Sequence, residues 1–229
     1  MSRSTRSALL DWTIPVVLLA VLTIPFFRTD IDMHIARHFY VPGVGFPTGA
    51  KPVWHWFKYF GTIPPLAVAI SALGVVIGSF IGPRLRALRR GALFLVLAMA
   101  IGPGLITNNV FKDHWGRPRP RDMVEMGGAR DYVPPLVMSP PDYGHSFASG
   151  HAAAAFYMLT PYFLLRRRSP WKAAAVFGVG LTYGSLMGYA RMAQGAHFLS
   201  DVLWSLGIVY VCALTVFYVL GLHRRTSPV

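Results

Sequence analysis

Arg191, His197 and Asp201 stand at the mouth of an apolar run, in the stretch "YARMAQGAHFLSDVLW", spaced R-x5-H-x3-D. Ionisable side chains at a bilayer edge are costly to place and mark function. His197 and Asp201 are four apart, so on a helix they share one face, a turn apart. A carboxylate there takes one ring N–H of the histidine and leaves the other nitrogen a lone pair. That arrangement orients a nucleophile or a base. Arg191 would face away on a continuous helix; it reaches the same place only if "MAQGA" turns, which Gly195 allows. The plainer alternative is an interfacial His–Asp pair that satisfies only itself.

Two further clusters carry complementary chemistry. "KDHWGRPRP" supplies Lys112, Arg117 and Arg119, with Arg121 just beyond. Guanidinium forks bind phosphate oxygens two at a time, and lysine adds a compact charge. The interleaved prolines stiffen the segment; a loop touching anionic headgroups would look the same. "HSFASGHAAAAFYML" places Ser149 as a helix N-cap, followed by Gly150 and His151. A helix start offers free N–H groups and a positive dipole end, and His151 could protonate a leaving oxygen. An ordinary capped helix with an interfacial histidine is the alternative. His114 and His145 are expected to be interfacial or loop hydrogen-bonders.

The elements that must position these groups are membrane helices. The 229 residues are 54% hydrophobic and only 14% charged, well short of the quarter charged residues usual in soluble domains. Apolar runs near the ~20 residues needed to cross a bilayer fall at about 8–27, 60–82, 91–111, 147–165, 171–189 and 199–222. They predict an all-α polytopic membrane protein of six transmembrane helices in a single domain, 1–229. Residues 28–59 contain "KPVWHWFKYF", whose aromatics and two lysines suit an interfacial helix. The long polar insertion 112–146 is broken by Pro118, Pro120, Pro134, Pro135, Pro140 and Pro141, and should be an ordered outer loop.

A net charge of +13 raises nucleic acid as a partner, and its distribution argues against that. One set of loops carries Arg3, Arg6, Arg84, Arg86, Arg89, Arg90, Arg166, Arg167, Arg168, Lys172, Arg224 and Arg225, with Asp11 the one acid among them. Short, almost purely basic segments face the cytoplasm, so both termini should be cytoplasmic and the three clusters should face the outside. The arginine-bearing start before the first apolar run resembles a signal peptide but lacks a cleavage pattern, and is read as an uncleaved first helix. The single cysteine, Cys212, allows no intramolecular disulfide.

Taken together, K-x6-R-P (Lys112, Arg119, Pro120), S-G-H (Ser149–His151) and R-x5-H-x3-D (Arg191, His197, Asp201) resemble the type 2 phosphatidic acid phosphatase superfamily. That superfamily includes bacterial lipid phosphatases, glucose-6-phosphatase and the vanadium haloperoxidases. The motif core spans 112–201, and the six-span layout extends the resemblance over most of the chain. Ala148 stands where a proline commonly precedes S-G-H, and Ala190 where a serine commonly precedes the arginine. The resemblance implies a bacterial inner-membrane phosphatase acting on a phosphorylated lipid at the periplasmic face. It further implies His197 as nucleophile, Asp201 as its orienter and His151 as acid and base. Phosphate would be held by Lys112, Arg119, Arg191, Ser149 and Gly150, with Arg117 a possible accessory. No metal or cofactor is expected. A metal-dependent hydrolase using Asp142, His145, His151, His197 and Asp201 lacks any recognised ligand spacing. A transporter would need ionisable groups deep in several spans. A phosphotransferase would use the same residues with another acceptor. Among substrates, lipid A, undecaprenyl diphosphate, phosphatidylglycerol phosphate and phosphatidic acid fit, the first two best.

Overall fold

A computed structural model describes residues 3–223, with side chains from Ala8 onward. Arg224 and Arg225, and the side chains of Arg3 and Arg6, lie outside the described residues. In chain order the main helices are α1 (Arg3–Thr23), α2 (Ile31–Phe39), α3 (Pro52–Phe60), α4 (Ile63–Gly78), α5 (Arg89–Met99), α6 (Gly150–Phe156), α7 (Pro170–Ala193) and α8 (Leu199–Val219). Among the described residues no strand forms; Val41–Gly45 and Met123–Arg130 make isolated bridges. The all-α expectation holds.

Five segments are long and apolar enough to cross a membrane: Ala8–Arg28, Pro52–Gly78, Arg89–Lys112, Pro170–Ala193 and Leu199–Val219. The expected sixth, 147–165, is present in a different form. It is a stack of short pieces: α6, a 3-10 turn at Tyr157–Leu159, and a helical turn at Tyr162–Leu165. Pro161 between them lacks the N–H that would continue the ladder. This broken span runs through the middle of the bundle, with Ala152, Ala153, Ala155, Phe156, Tyr157, Leu159 and Phe163 each at 2% exposure or less. Irregular backbone at membrane depth is tolerable where protein surrounds it.

Small residues let α7 close on that central span. A Cβ on Gly180 would lie 2.3 Å from Leu159 N, and one on Gly184 would lie 2.0 Å from Phe156 Cδ1. One on Gly188 would meet Val202 of α8 at 2.4 Å. Glycines four apart form one stripe along the helix, the usual way membrane helices approach closely. By contrast α1 and α4 turn Ile14, Val17, Ile70 and Ile77 outward, where lipid would meet them.

The aromatic segment "KPVWHWFKYF" is helical, as expected, but it does not stand apart from the second span. Only Gly61 and Thr62 separate α3 from α4, both in right-handed backbone conformation, and the pair is apolar enough to count as one 27-residue crossing segment. Pro64 and Pro65 cannot donate to the carbonyls one turn back. One of those, Gly61 O, accepts instead from Tyr183 Oη of α7 at 2.7 Å.

The bundle has two chemically distinct ends. At one, Arg166 pairs with Asp11 at 2.6 Å, Tyr218 Oη donates to Asp11 at 2.7 Å, Arg90 binds Leu220 O at 2.7 Å, and Arg167 binds His223 O. The acid expected alone among basic loops is thus neutralised there. At the other end α5's continuation and α7 finish, and α6 and α8 begin. The loop 112–146 lies over that end with only 3-10 turns, at Pro120–Asp122, Val124–Met126 and Pro141–Tyr143. Met123 and Met126 from this loop pack with Met33, Ala36 and Phe198. Arg37 clamps the loop to α2 through Glu125 at 2.7 Å.

Candidate active site

The turn that sequence spacing required after Arg191 forms. α7 ends at Ala193, Gly195 takes φ +59, Gly195 N–H donates to Met192 O at 2.9 Å and Ala196 N–H to Arg191 O at 3.0 Å. This left-handed glycine cap reverses the chain and brings His197 back beside Arg191. Phe46 packs over Gly195, where a Cβ would meet its ring at 2.5 Å. The loop carrying Arg119 is tied to the same turn, since Arg121 N–H donates to Gly195 O at 3.0 Å.

His197 lies outside α8, one residue before the N-cap Phe198. Its expected bond to Asp201 is therefore replaced. His197 Nδ1 lies 2.7 Å from the main-chain carbonyl of Ser146 and 3.7 Å from Asp201 Oδ2. A carbonyl only accepts, so Nδ1 carries the hydrogen and Nε2 holds the lone pair. Burial pushes the imidazole below the ordinary histidine range; the nearby Asp201 carboxylate opposes this, and Arg191 and Arg119 add to the lowering. The ring is accordingly neutral near pH 7.

Asp201 does its work one step further out. Its Oδ2 accepts Ser146 Oγ–H at 2.5 Å and Phe198 N–H at 2.8 Å, and Oδ1 accepts Arg117 Nη1–H at 2.5 Å. The carboxylate thus fixes Ser146, whose carbonyl fixes His197.

Arg117 is fully buried and its donors are spent. Nε binds Val133 O at 2.8 Å, Nη1 also reaches Ser200 Oγ at 2.8 Å, and Nη2 reaches Asp32 Oδ2 at 2.8 Å and Tyr132 Oη at 3.3 Å. It sits 4.5 Å over the Phe198 ring. Burial alone would lower its pKa; Asp201 and Asp32 more than reverse that. The accessory phosphate contact expected of Arg117 has no geometry here. The guanidinium is an internal counter-ion. Arg119 behaves differently: its Nε is buried without a partner, and burial, then Arg121, lower its pKa against the pull of Asp122. Arg191 is 9% exposed, binds Gln194 Oε1 through Nη1 at 2.7 Å, and likewise leaves Nε unpartnered. Among the described residues neither arginine nor Lys112 makes an ion pair.

Lys112 closes α5's continuation, Ala100–Lys112, which is π-helical. Pro103 removes one N–H within it, and Thr107 Oγ and Asn108 Nδ2 reach back five residues to Gly102 O at 2.9 Å and Pro103 O at 2.8 Å. Widened turns of this kind re-aim the residues that follow and often border functional sites. Ser149 caps α6, its Oγ accepting Ala152 N–H at 3.4 Å. Gly150 lies against Asn108, where a Cβ would come within 2.4 Å of Oδ1. The charges of Arg191 and Lys112 act on the half-buried His151 ring, His197 lies near it, and the Lys58 main chain is beside it. α3 thus borders the site, held by Gln194 Nε2 to Trp54 O at 2.9 Å.

Lys112, Arg119, His151, Arg191 and His197 therefore converge, with Ser149 and Gly150 at the same end. Sequence reasoning missed Asp32, Ser146, Ser200 and Tyr132, which build the buried polar layer behind them. His114, in the helical turn that follows Lys112, and the loop residue His145 bind the main-chain carbonyls of Asn109 at 2.9 Å and Lys112 at 3.0 Å, hydrogen-bonders as expected. Ala190 packs with Phe57, Ala155 and Met187, and Ala148 with Phe147 and Ile208. Among the described residues no three His, Cys, Asp or Glu side chains gather as a metal-binding group.

Residues 91–225 match the PAP2 superfamily. The chain belongs to the PAP2 superfamily. Its relatives include a lipid A 4'-phosphatase of Francisella tularensis subsp. novicida, 34% identical over 194 residues, 82% of this chain and 85% of the relative. A lipid A 4'-phosphatase of Rhizobium leguminosarum is 31% identical over 57% of this chain and 56% of its own length. One of Rhizobium etli is 33% identical over 58% and 51%. No solved structure matches the chain. This PAP2-superfamily member is a multi-pass membrane phosphatase of bacterial type.

Proposed function

We propose that this protein removes phosphate from a membrane lipid at the periplasmic face of the bacterial inner membrane, through a phosphohistidine on His197. One observation carries the reading. The Ser146 carbonyl holds His197 Nδ1–H, so Nε2 is an unprotonated nucleophile beside two arginines with unpaired Nε groups. Attack of Nε2 on phosphorus forms a P–N bond as the ester P–O bond breaks. The departing alkoxide takes a proton from His151. Water then yields a proton to His151 and attacks the same phosphorus. The P–N bond breaks, and its electron pair returns to Nε2 with release of phosphate. Lys112, Arg119 and Arg191, with Ser149 and the Gly150 N–H, neutralise the equatorial oxygens, the task cations perform in other phosphoryl transfers. No metal or cofactor enters these steps.

The basic end carrying Arg90, Arg166 and Arg167 supports a cytoplasmic placement for both termini, and with it a site facing the periplasm. The three lipid A 4'-phosphatase relatives favour lipid A over undecaprenyl diphosphate, phosphatidylglycerol phosphate and phosphatidic acid. The test is phosphate release by purified protein from these four lipids, with and without EDTA. Release should be greatest from lipid A, persist in EDTA and vanish in His197→Ala. Activity that EDTA abolishes, or that survives in His197→Ala, overturns the mechanism; preference for another of the four overturns the substrate.

A further inference from the structure

His197 precedes α8 by two residues, and two carboxylates hold the start of that helix. Asp201 does so from within, through Phe198 N–H. The second is Asp32, on α2 and 168 residues away in sequence from its main contact. Asp32 Oδ1 accepts Ser200 N–H at 2.9 Å; Oδ2 accepts the Ser200 hydroxyl, Arg117 Nη2–H at 2.8 Å and Tyr132 Oη–H at 3.1 Å. The side chain is 1% exposed. α2 already docks through Met33, Ala36 and Phe39, so anchoring does not require a carboxylate, and burying one carries a desolvation cost that an apolar residue would avoid.

Two routes lead from Asp32 to the imidazole. The first is direct: fixing Ser200 N–H fixes the first turn of α8 and the Phe198–His197 segment that enters it. The second passes through Arg117, whose main-chain carbonyl accepts Ser146 N–H at 2.8 Å and whose guanidinium holds Asp201. Asp201 in turn holds the Ser146 hydroxyl, and Ser146 O holds His197 Nδ1–H. Every bond in both routes is buried.

We propose that Asp32 is a positioning residue for the phosphatase reaction: from outside the motif core it sets the angle at which His197 Nε2 meets phosphorus. The proposal rests on His197 as the nucleophile. Asp32 touches no part of the substrate, so its loss should lower kcat and leave KM alone. A nucleophile displaced by about 1 Å loses roughly 100-fold in rate.

Two variants test it, assayed on whichever of the four panel lipids the wild type hydrolyses best. Asp32→Asn keeps an acceptor for Ser200 N–H and leaves Arg117 paired with Asp201. Ser200→Ala removes one hydroxyl and leaves every ion pair intact. Asp32→Asn should lose roughly 100-fold and Ser200→Ala several-fold in kcat, with KM within about twofold of wild type. A folded variant with wild-type kcat, or a loss confined to KM, overturns the proposal. If Asp32→Asn does not fold, Ser200→Ala decides alone by the same criteria. His197→Ala, run alongside, separates the two layers: activity there overturns the nucleophile assignment, whereas its inactivity beside a fully active Asp32→Asn overturns only the role of Asp32.

Discussion

Arg117 and Arg119 are two residues apart in one proline-rich segment, yet one is fully paired and the other is not, and paired substitutions test the different tasks this suggests. Replacing Arg117 by methionine leaves Asp32 and Asp201, exposed 1% and 0%, buried without their shared cation. Breaking a buried pair by removing one partner costs about 3–5 kcal/mol. For a chain of this size each kcal/mol moves the midpoint by about 2–4 °C, so the expected drop is about 6–20 °C. Replacing Arg119 by methionine removes a half-exposed side chain with an unpartnered Nε. Stability should then change by no more than about 0.5 kcal/mol, while loss of the proposed oxyanion-stabilising cation should cost about 100- to 1000-fold in kcat. Thermal unfolding in detergent micelles, read beside phosphate release from each variant, resolves the two. An Arg117→Met protein that melts with the wild type and loses only activity would refute the assignment of Arg117 as an internal counter-ion.

The remaining predictions are smaller in scope. As the proposed nucleophile His197 must be neutral to attack, and burial lowers its pKa, so activity should persist to acid. The acid limb of the kcat/KM profile should fall below the ordinary histidine value of about 6.5, and a limb at or above it would contradict the burial of the ring. Gly184→Ala would place a methyl 2.0 Å from Phe156 Cδ1. Overpacking of this kind costs about 1–3 kcal/mol, so the melting midpoint should fall by several degrees; an unchanged midpoint would mean that α7 does not press on the central span as described.

Much of this architecture was readable in the sequence because membrane helices announce themselves by hydropathy alone. Five of the six expected spans are single crossing segments. The sixth differs because its surroundings, not its composition, set its form: packed protein lets Pro161 and a 3-10 turn interrupt it. The converging cations and imidazoles were legible as three spaced motifs, and the turn at Gly195 followed from the need to bring Arg191 round. His197 and Asp201 do lie close, at 3.7 Å, but the ring hydrogen goes to Ser146 O instead, for a definite reason. Spacing of four implies one helical face only when both residues are helical, and α8 begins after His197. Ser146 was passed over as loop sequence between a histidine and a phenylalanine. Asp32 left one faint sign: in "IDMHIARHF" it shares the buried face of α2 with Met33, Ala36 and Phe39, an acid where an apolar residue is expected. Its partner, Ser200, lies too far along the chain for any local pattern to reveal.

The central claim is a covalent bond between His197 Nε2 and phosphorus, and trapping that bond tests it most directly. In His151→Ala, an aryl phosphate needs no proton donor to expel its leaving group, while the water step has lost its base. Rapid quenching of this variant with radiolabelled p-nitrophenyl phosphate should yield acid-labile, base-stable phosphate, close to one per chain, mapped by mass spectrometry to His197. Label on any other side chain, or rapid turnover with no covalent label, would contradict it.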